Sequence, residues 1–170
     1  MPDYDPDQVA TQAVKLFDKD GNGSLSADEW GASKSLESAI SRVDSDGDKN
    51  LTRDEIAKRI QYYVEFRVGL APVLCTIVQG GRPVAGAKVT YEPEAFMDEA
   101  AVPGEGVTDE TGRTRISVAE EHLPSRAHAG VRPGFYRVRV TRSNGAEVTK
   151  LDAGVECAGD VMNTHVFTLP

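Results

Sequence analysis

Two acidic stretches hold the residues of this chain best suited to chemistry. The first is Asp18-Lys-Asp-Gly-Asn-Gly-Ser-Leu-Ser-Ala-Asp-Glu29, and the second is Asp44-Ser-Asp-Gly-Asp-Lys-Asn-Leu-Thr-Arg-Asp-Glu55. Each places oxygen donors at alternate positions. Asp18, Asp20 and Asn22 offer side-chain oxygens, and Ser24 offers a backbone carbonyl. Ser26 stands where a water bridges, and Glu29 can close the site with both carboxylate oxygens. The second stretch repeats the set with Asp44, Asp46, Asp48, the carbonyl of Asn50, Thr52 and Glu55. Six to eight oxygens in a flexible shell suit Ca2+, whereas Mg2+ demands a smaller octahedron and keeps several waters. The expectation is two calcium ions, one in each loop.

The loops are unequal. Gly23 fills the sixth position of the first, where the chain turns sharply, but Lys49 fills it in the second. A side chain there costs about 1 kcal/mol at positive φ. Asp48 offsets this with a carboxylate where the first loop has Asn22. Asp28 and Asp54, at the eleventh positions, read as helix N-terminal charges.

Short helices must position these loops. Asp5-Pro6 is a helix start, with Asp as cap and Pro in the first turn. Val9, Ala13, Leu16 and Phe17 then share a face. Residues 30–43 must supply both the helix leaving the first loop and the helix entering the second, so each has about two turns. Leu25 and Leu51, at matching loop positions, are expected to pair as a two-stranded bridge. A last helix runs from Arg53 to about Arg67, with Ile56, Ile60, Tyr63 and Val64 buried. Tyr62 and Phe66 are expected to pack on the segment that follows. These residues resemble an EF-hand pair, over roughly residues 1–68, and the resemblance implies calcium binding by the residues named above.

After a short linker, 69–72, which ends in the helix-breaking Pro72, the period changes to that of strands. Val73–Val78, Ala87–Tyr91, Arg113–Val118 and Phe135–Thr141 alternate, and turn signals such as Ser143-Asn-Gly145 separate the short runs. In Phe135–Thr141, Tyr136, Val138 and Val140 form one face and Arg137 and Arg139 the other. Some seven strands over 73–170 read as an all-β sandwich. The segments Val73-Leu-Cys-Thr-Ile-Val78, Gly81-Arg-Pro-Val-Ala-Gly-Ala-Lys-Val89, Thr108-Asp-Glu-Thr-Gly-Arg113 and Pro133-Gly-Phe-Tyr-Arg-Val138 are similar to the carboxypeptidase regulatory-like domain, which implies a transthyretin-like sandwich and no peptidase activity. The expected fold is therefore two domains: an all-α EF-hand pair followed by an all-β, seven-stranded transthyretin-like (Ig-like) sandwich.

A net charge of −8 argues against nucleic acid and anionic membranes as partners. No apolar run is long enough to cross a bilayer. The N-terminal Met-Pro-Asp-Tyr-Asp-Pro lacks the basic and apolar regions of a secretory signal. The chain is either cytoplasmic or lacks its targeting segment, in which case a periplasmic or cell-surface location is favoured. Cys75 and Cys157 have no metal-type spacing, and both a disulfide and two buried thiols are compatible with them. His122, His128 and His165 show no ligand spacing, and no nucleophile elbow or phosphate-cradling loop is present. The expected function is non-catalytic: calcium makes the helical part rigid against a sandwich that serves structural or adhesive interaction with a protein or surface. The alternatives are a calcium sensor that exposes a groove, and a glycan-binding accessory module of an enzyme.

Overall fold

A computed structural model of the chain describes residues 3–66, 69–97, 99–123, 128–148 and 151–170. The first helix, α1 (Pro6–Phe17), starts as its residue types require: the Asp5 side chain accepts a hydrogen bond from the Gln8 amide at 3.0 Å, and Pro6 opens the first turn. Its buried face is Val9, Ala10 and Ala13, while Leu16 is half exposed. The first acidic loop follows and contains β1 (Ser24–Leu25). A single turn, α2 (Ala27–Trp30), leaves it, and α3 (Lys34–Val43) enters the second loop. There β2 (Leu51–Thr52) pairs antiparallel with β1, with Leu25 opposite Leu51 as the repeat requires. The fourth helix, α4 (Arg53–Glu65), buries Ile56, Arg59, Ile60 and Tyr63.

The remaining chain forms β3 (Val73–Gln79), β4 (Arg82–Pro83), β5 (Lys88–Pro93), β6 (Gly104–Val107), β7 (Arg113–Val118), a 3-10 turn at Glu120–His122, β8 (Gly134–Thr141), β9 (Gly154–Cys157) and β10 (Thr164–Leu169). Their order is β10-β3-β7-β6-β5-β8-β9, with β4 paired to β3. Neighbours are antiparallel except β10 and β3, which run parallel. The first four residues of β7 pair with β3 and its last two pair with β6. One strand thus serves both arms, and the sheet curls over itself there.

This architecture corrects the expected fold class. The chain is not an all-α EF-hand domain followed by a seven-stranded sandwich. It is a β-rich chain with four short helices among the described residues, and strands β3 to β10 form one continuous curled sheet. The helices share a core with the sheet: Phe96, Met97, Ala101, Phe135 and Ala158 lie in the same buried cluster as Val9, Leu25, Leu36, Leu51 and Ile60. The physical reason is length. With α2 reduced to one turn, the helices cannot cover their own apolar faces, and the sheet covers them instead. Strand β8 shows the consequence. Tyr136, Val138 and Val140 face the inner core of the curled sheet, as their alternation predicts, while Phe135 on the opposite face enters the helical cluster. The aromatic contact with the sheet, expected from Tyr62 and Phe66, is made by Tyr63, tilted against Phe135 at 6.1 Å. Tyr62 and Phe66 instead stack on each other, and Phe66 stays half exposed.

Candidate metal centre

Each acidic loop is wound around its own carboxylates. In the first, Asp18 accepts from the amides of Gly21 and Gly23 at 2.7 and 2.9 Å, Asp20 from Asn22 at 3.1 Å, and the Asn22 side chain from Ser24 at 2.8 Å. Glu29 reaches back across the loop. Its Oε1 accepts from the Lys19 amide at 2.7 Å, and its Oε2 from the amide and hydroxyl of Ser26, both at 2.8 Å. The amides of Ser26 and Lys19 hold the Glu29 carboxyl down at about 2. One carboxylate oxygen from each of Asp18, Asp20 and Glu29 lies within 4.8 Å of the others.

The second loop repeats the winding. Asp44 accepts from the amides of Gly47 and Lys49 at 2.7 and 3.0 Å, Asp46 from Asp48 at 3.1 Å, and Asp48 from Asn50 at 2.7 Å. Glu55 accepts from the Ser45 amide at 2.8 Å and from the amide and hydroxyl of Thr52 at 2.9 and 2.8 Å. Burial works against the charge of Glu55, but these donors outweigh it and hold the carboxyl below its usual range. Here the gathered carboxylates are Asp44, Asp46 and Asp48, and Glu55 is not among them. Lys49 has φ 67°, alone among the described non-glycine residues in being positive, while Gly23 at the matching position has φ 86°.

Ser26 and Thr52 take a role that spacing alone did not indicate. Each precedes a helix, α2 or α4, and forms a capping box with Glu29 or Glu55. The closing glutamate of each loop is therefore also the residue that starts the next helix. The loops are joined by β1 and β2, and also by Trp30, whose indole Nε1 donates to the Lys49 carbonyl at 3.0 Å. The chemistry of the donor set fits a hard dication. Asp18, Asp20, Asn22, Ser24, Ser26 and Glu29 would hold it in the first loop, and Asp44, Asp46, Asp48, Asn50, Thr52 and Glu55 in the second.

Sequence reasoning missed the ionic cluster beside the second loop. Glu156, fully buried on β9, accepts from Arg42 Nε of α3 on one oxygen and from Arg59 Nε and the Tyr63 hydroxyl of α4 on the other. The terminal nitrogens of Arg59 donate to both oxygens of Asp160 at 3.0 Å. Burial opposes the charge on Arg59, but the bonds to Asp160 and the nearby Glu156 raise its pKa regardless. Burial, reinforced by Glu156, pushes the Tyr63 hydroxyl well above its ordinary value. A faint signal existed. Arg59 lies among Ile56, Ile60 and Tyr63 on the apolar stripe, and Glu156 lies between Val155 and Cys157, whose side chains enter the inner core.

Elsewhere, buried Glu94 accepts from Ser33 and Ser35 at the start of α3 at 2.9 and 2.8 Å. A cleft of about 420 Å³ between helices and sheet, lined in part by Leu16, Ser33, Glu94, Arg137 and Glu147, opens on neither group of gathered carboxylates. His122 and His128 are exposed, and His165 Nδ1 lies 2.9 Å from the Tyr91 hydroxyl. The structure does not bring the three histidines together as ligands. Cys75 and Cys157 are buried free thiols, and burial pushes Cys75 up to about 11.

No known protein family matches the chain, and no curated protein sequence is similar to it. Among solved structures, (S)-allantoin synthase is 17% identical over 69% of this chain and 47% of its own, with a TM-score of 0.36. Chlorocatechol 1,2-dioxygenase from Pseudomonas putida is 14% identical over 60% of this chain and 59% of its own, at 0.29. A 9R-lipoxygenase from Cyanothece is 14% identical over 97% of this chain and 24% of its own, at 0.30. The chain spans less than two thirds of each. These likenesses are too slight to assign a shared fold or activity.

Proposed function

We propose that the chain is a non-catalytic calcium-binding protein with one Ca2+ in each acidic loop, and that the ions brace the helices against the sheet. The observation that carries this reading is the convergence of Asp18, Asp20 and Glu29 oxygens to within 4.8 Å of one another, in a loop whose other donors stand at the remaining alternate positions. The resemblance of both loops to an EF-hand pair supports the same reading. Bound Ca2+ would offset the mutual repulsion of the gathered carboxylates. The loop residues would supply the oxygens, and the capping boxes would pass the loop geometry on to α2 and α4.

A bracing role is favoured over a sensor role by the shared core. A sensor opens its helices to expose an apolar groove, but the apolar faces of α1, α3 and α4 are covered by Phe96, Met97 and Phe135. The test is a calorimetric titration with Ca2+ and Mg2+, paired with thermal unfolding and solution scattering in Ca2+ and in chelator. Two Ca2+ per chain, a melting temperature that drops on chelation and an unchanged scattering profile are expected. A changed profile with newly exposed apolar surface would favour the sensor. Absence of Ca2+ uptake would overturn both readings.

A further inference from the structure

We propose that Glu156 and Arg42 position the second calcium loop, as a clamp on the sheet that fixes the helix entering the loop relative to the helix leaving it. This rests on the reading of that loop as a calcium site. Arg42 lies two residues before Asp44, and Arg59 lies one helical turn after Glu55. A single carboxylate, Glu156, receives both, one on each oxygen, and receives Tyr63 of α4 as well. One further bond ties α3 to β9, and another, within α3, orients Arg42. The Glu156 amide donates to Ser38 Oγ at 3.0 Å, and Arg42 Nη2 donates to the Ser38 carbonyl at 2.9 Å. The arginines are not remote from the loop. Arg42 and Arg59 line a hollow of about 180 Å³ together with Ser45 and Glu55, so the clamp and the closing carboxylate face one space. Two arginines are balanced by Glu156 and Asp160, so the cluster is neutral as a whole and can be buried.

The function of such a clamp follows from geometry. The ligand oxygens of the second loop come from both of its ends, and their separation is set by the angle between α3 and α4. Holding that angle before the ion arrives removes an ordering cost from binding. The first loop leaves through α2, a single turn with no ionic tie of this kind among the described residues. The clamp therefore acts on one loop of the two.

Arg42→Gln separates positioning from charge. Arg42 is partly exposed, so its loss leaves Glu156 still paired with Arg59 and Tyr63. Electrostatics alone predicts tighter Ca2+ binding when a cation beside an acidic loop is removed. The clamp predicts weaker binding. In the full chain with the first loop silenced by Glu29→Gln, Arg42→Gln is expected to weaken Ca2+ affinity about three- to tenfold, since outer partners that orient ligands commonly change metal affinity on that scale or above. With the second loop silenced by Glu55→Gln, the same change is expected to weaken the remaining affinity by a clearly smaller factor, since the bonds of Arg42 go to Glu156 and Ser38 and reach the first loop only through the β1–β2 pairing and Trp30. Glu156→Gln, where it folds, is expected to reproduce the pattern. Affinity unchanged or tightened in the Glu29→Gln background overturns the clamp, and so does equal weakening in both backgrounds, which a general loosening of the fold would give. An unmutated chain that takes up no Ca2+ overturns the reading of the loops and the clamp with it. An unmutated chain that binds two ions, with Arg42→Gln silent, overturns the clamp alone.

Discussion

Lys49 holds a backbone conformation that its side chain disfavours. Its φ of 67° occupies the left-handed region, which costs about 1 kcal/mol for a residue with a Cβ. Lys49→Gly is expected to raise the free energy of unfolding by up to about 1 kcal/mol, less the entropy that glycine adds to the unfolded chain. It should also tighten the second site by removing a cation, and urea melts with a calcium titration check both. A fall in stability and affinity together would refute the strain. His165 makes a separate prediction. Burial lowers its pKa from 6.5 to about 4, so between those values the unfolded chain binds a proton that the folded chain refuses. Its contribution is therefore intact above about pH 6.5 and is lost as pH falls toward 4. The slope is at most about 1 kcal/mol per pH unit for this partly exposed ring. His165→Asn keeps an acceptor for Tyr91 and should flatten the slope between pH 6.5 and 5, read from urea midpoints in chelator. At this scale the gathering of Asp18, Asp20 and Glu29, and of Asp44, Asp46 and Asp48, was legible because spacing within each loop sets it. Glu156 was not, because its partners Arg42 and Arg59 lie 114 and 97 residues away and no local pattern joins them.

Strand β9 and helix α3 meet at closer range than side chains allow. A Cβ placed on Gly154 would lie 2.5 Å from the Ser35 amide and 2.9 Å from the Lys34 carbonyl carbon. Backbone, not a side-chain tip, fills that space, so neither partner can move aside cheaply. Gly154→Ala is expected to destabilise the fold by about 1–3 kcal/mol, with the loss read by chemical denaturation and α3 protection read by hydrogen exchange. An effect below about 0.5 kcal/mol would show that α3 and β9 can move apart at little cost. The same start of α3 is tied to the sheet through Glu94, which accepts from Ser33 and Ser35. Strand positions were readable from alternation, since β3, β5, β7 and β8 keep one apolar face throughout. What alternation does not reveal is a second covered face. Phe135 and Glu156 stand on the side that a one-layer reading gives to solvent, and they are the residues that receive the helices. The helical stripe on α1 was likewise read with Leu16 inside, whereas the buried face turned toward Ala10 once α4 packed against it.

For the molecule as a whole, the shared cluster makes the helices and the sheet one cooperative body. The chelator experiment should therefore show one unfolding transition, seen at the same temperature by helix-sensitive far-ultraviolet signals and by the aromatic signals of Tyr91 and Tyr136 in the inner core. Two transitions would mean that the helices fold as their own unit. The expected fold class, an all-α part followed by a seven-stranded sandwich, failed because a pattern read along the chain shows where apolar faces lie but not which distant element covers them. The clamp has a further consequence, in time rather than in energy. Tyr63, Arg59 and Arg42 must wait for a strand that lies 93, 97 and 114 residues further along the chain. During synthesis the acidic loops emerge complete while their anchor is still unmade. On the proposed calcium reading, metal would order them first, and the long loop closure that brings β9 home would follow. A nascent chain would thus hold its ions before it holds its shape.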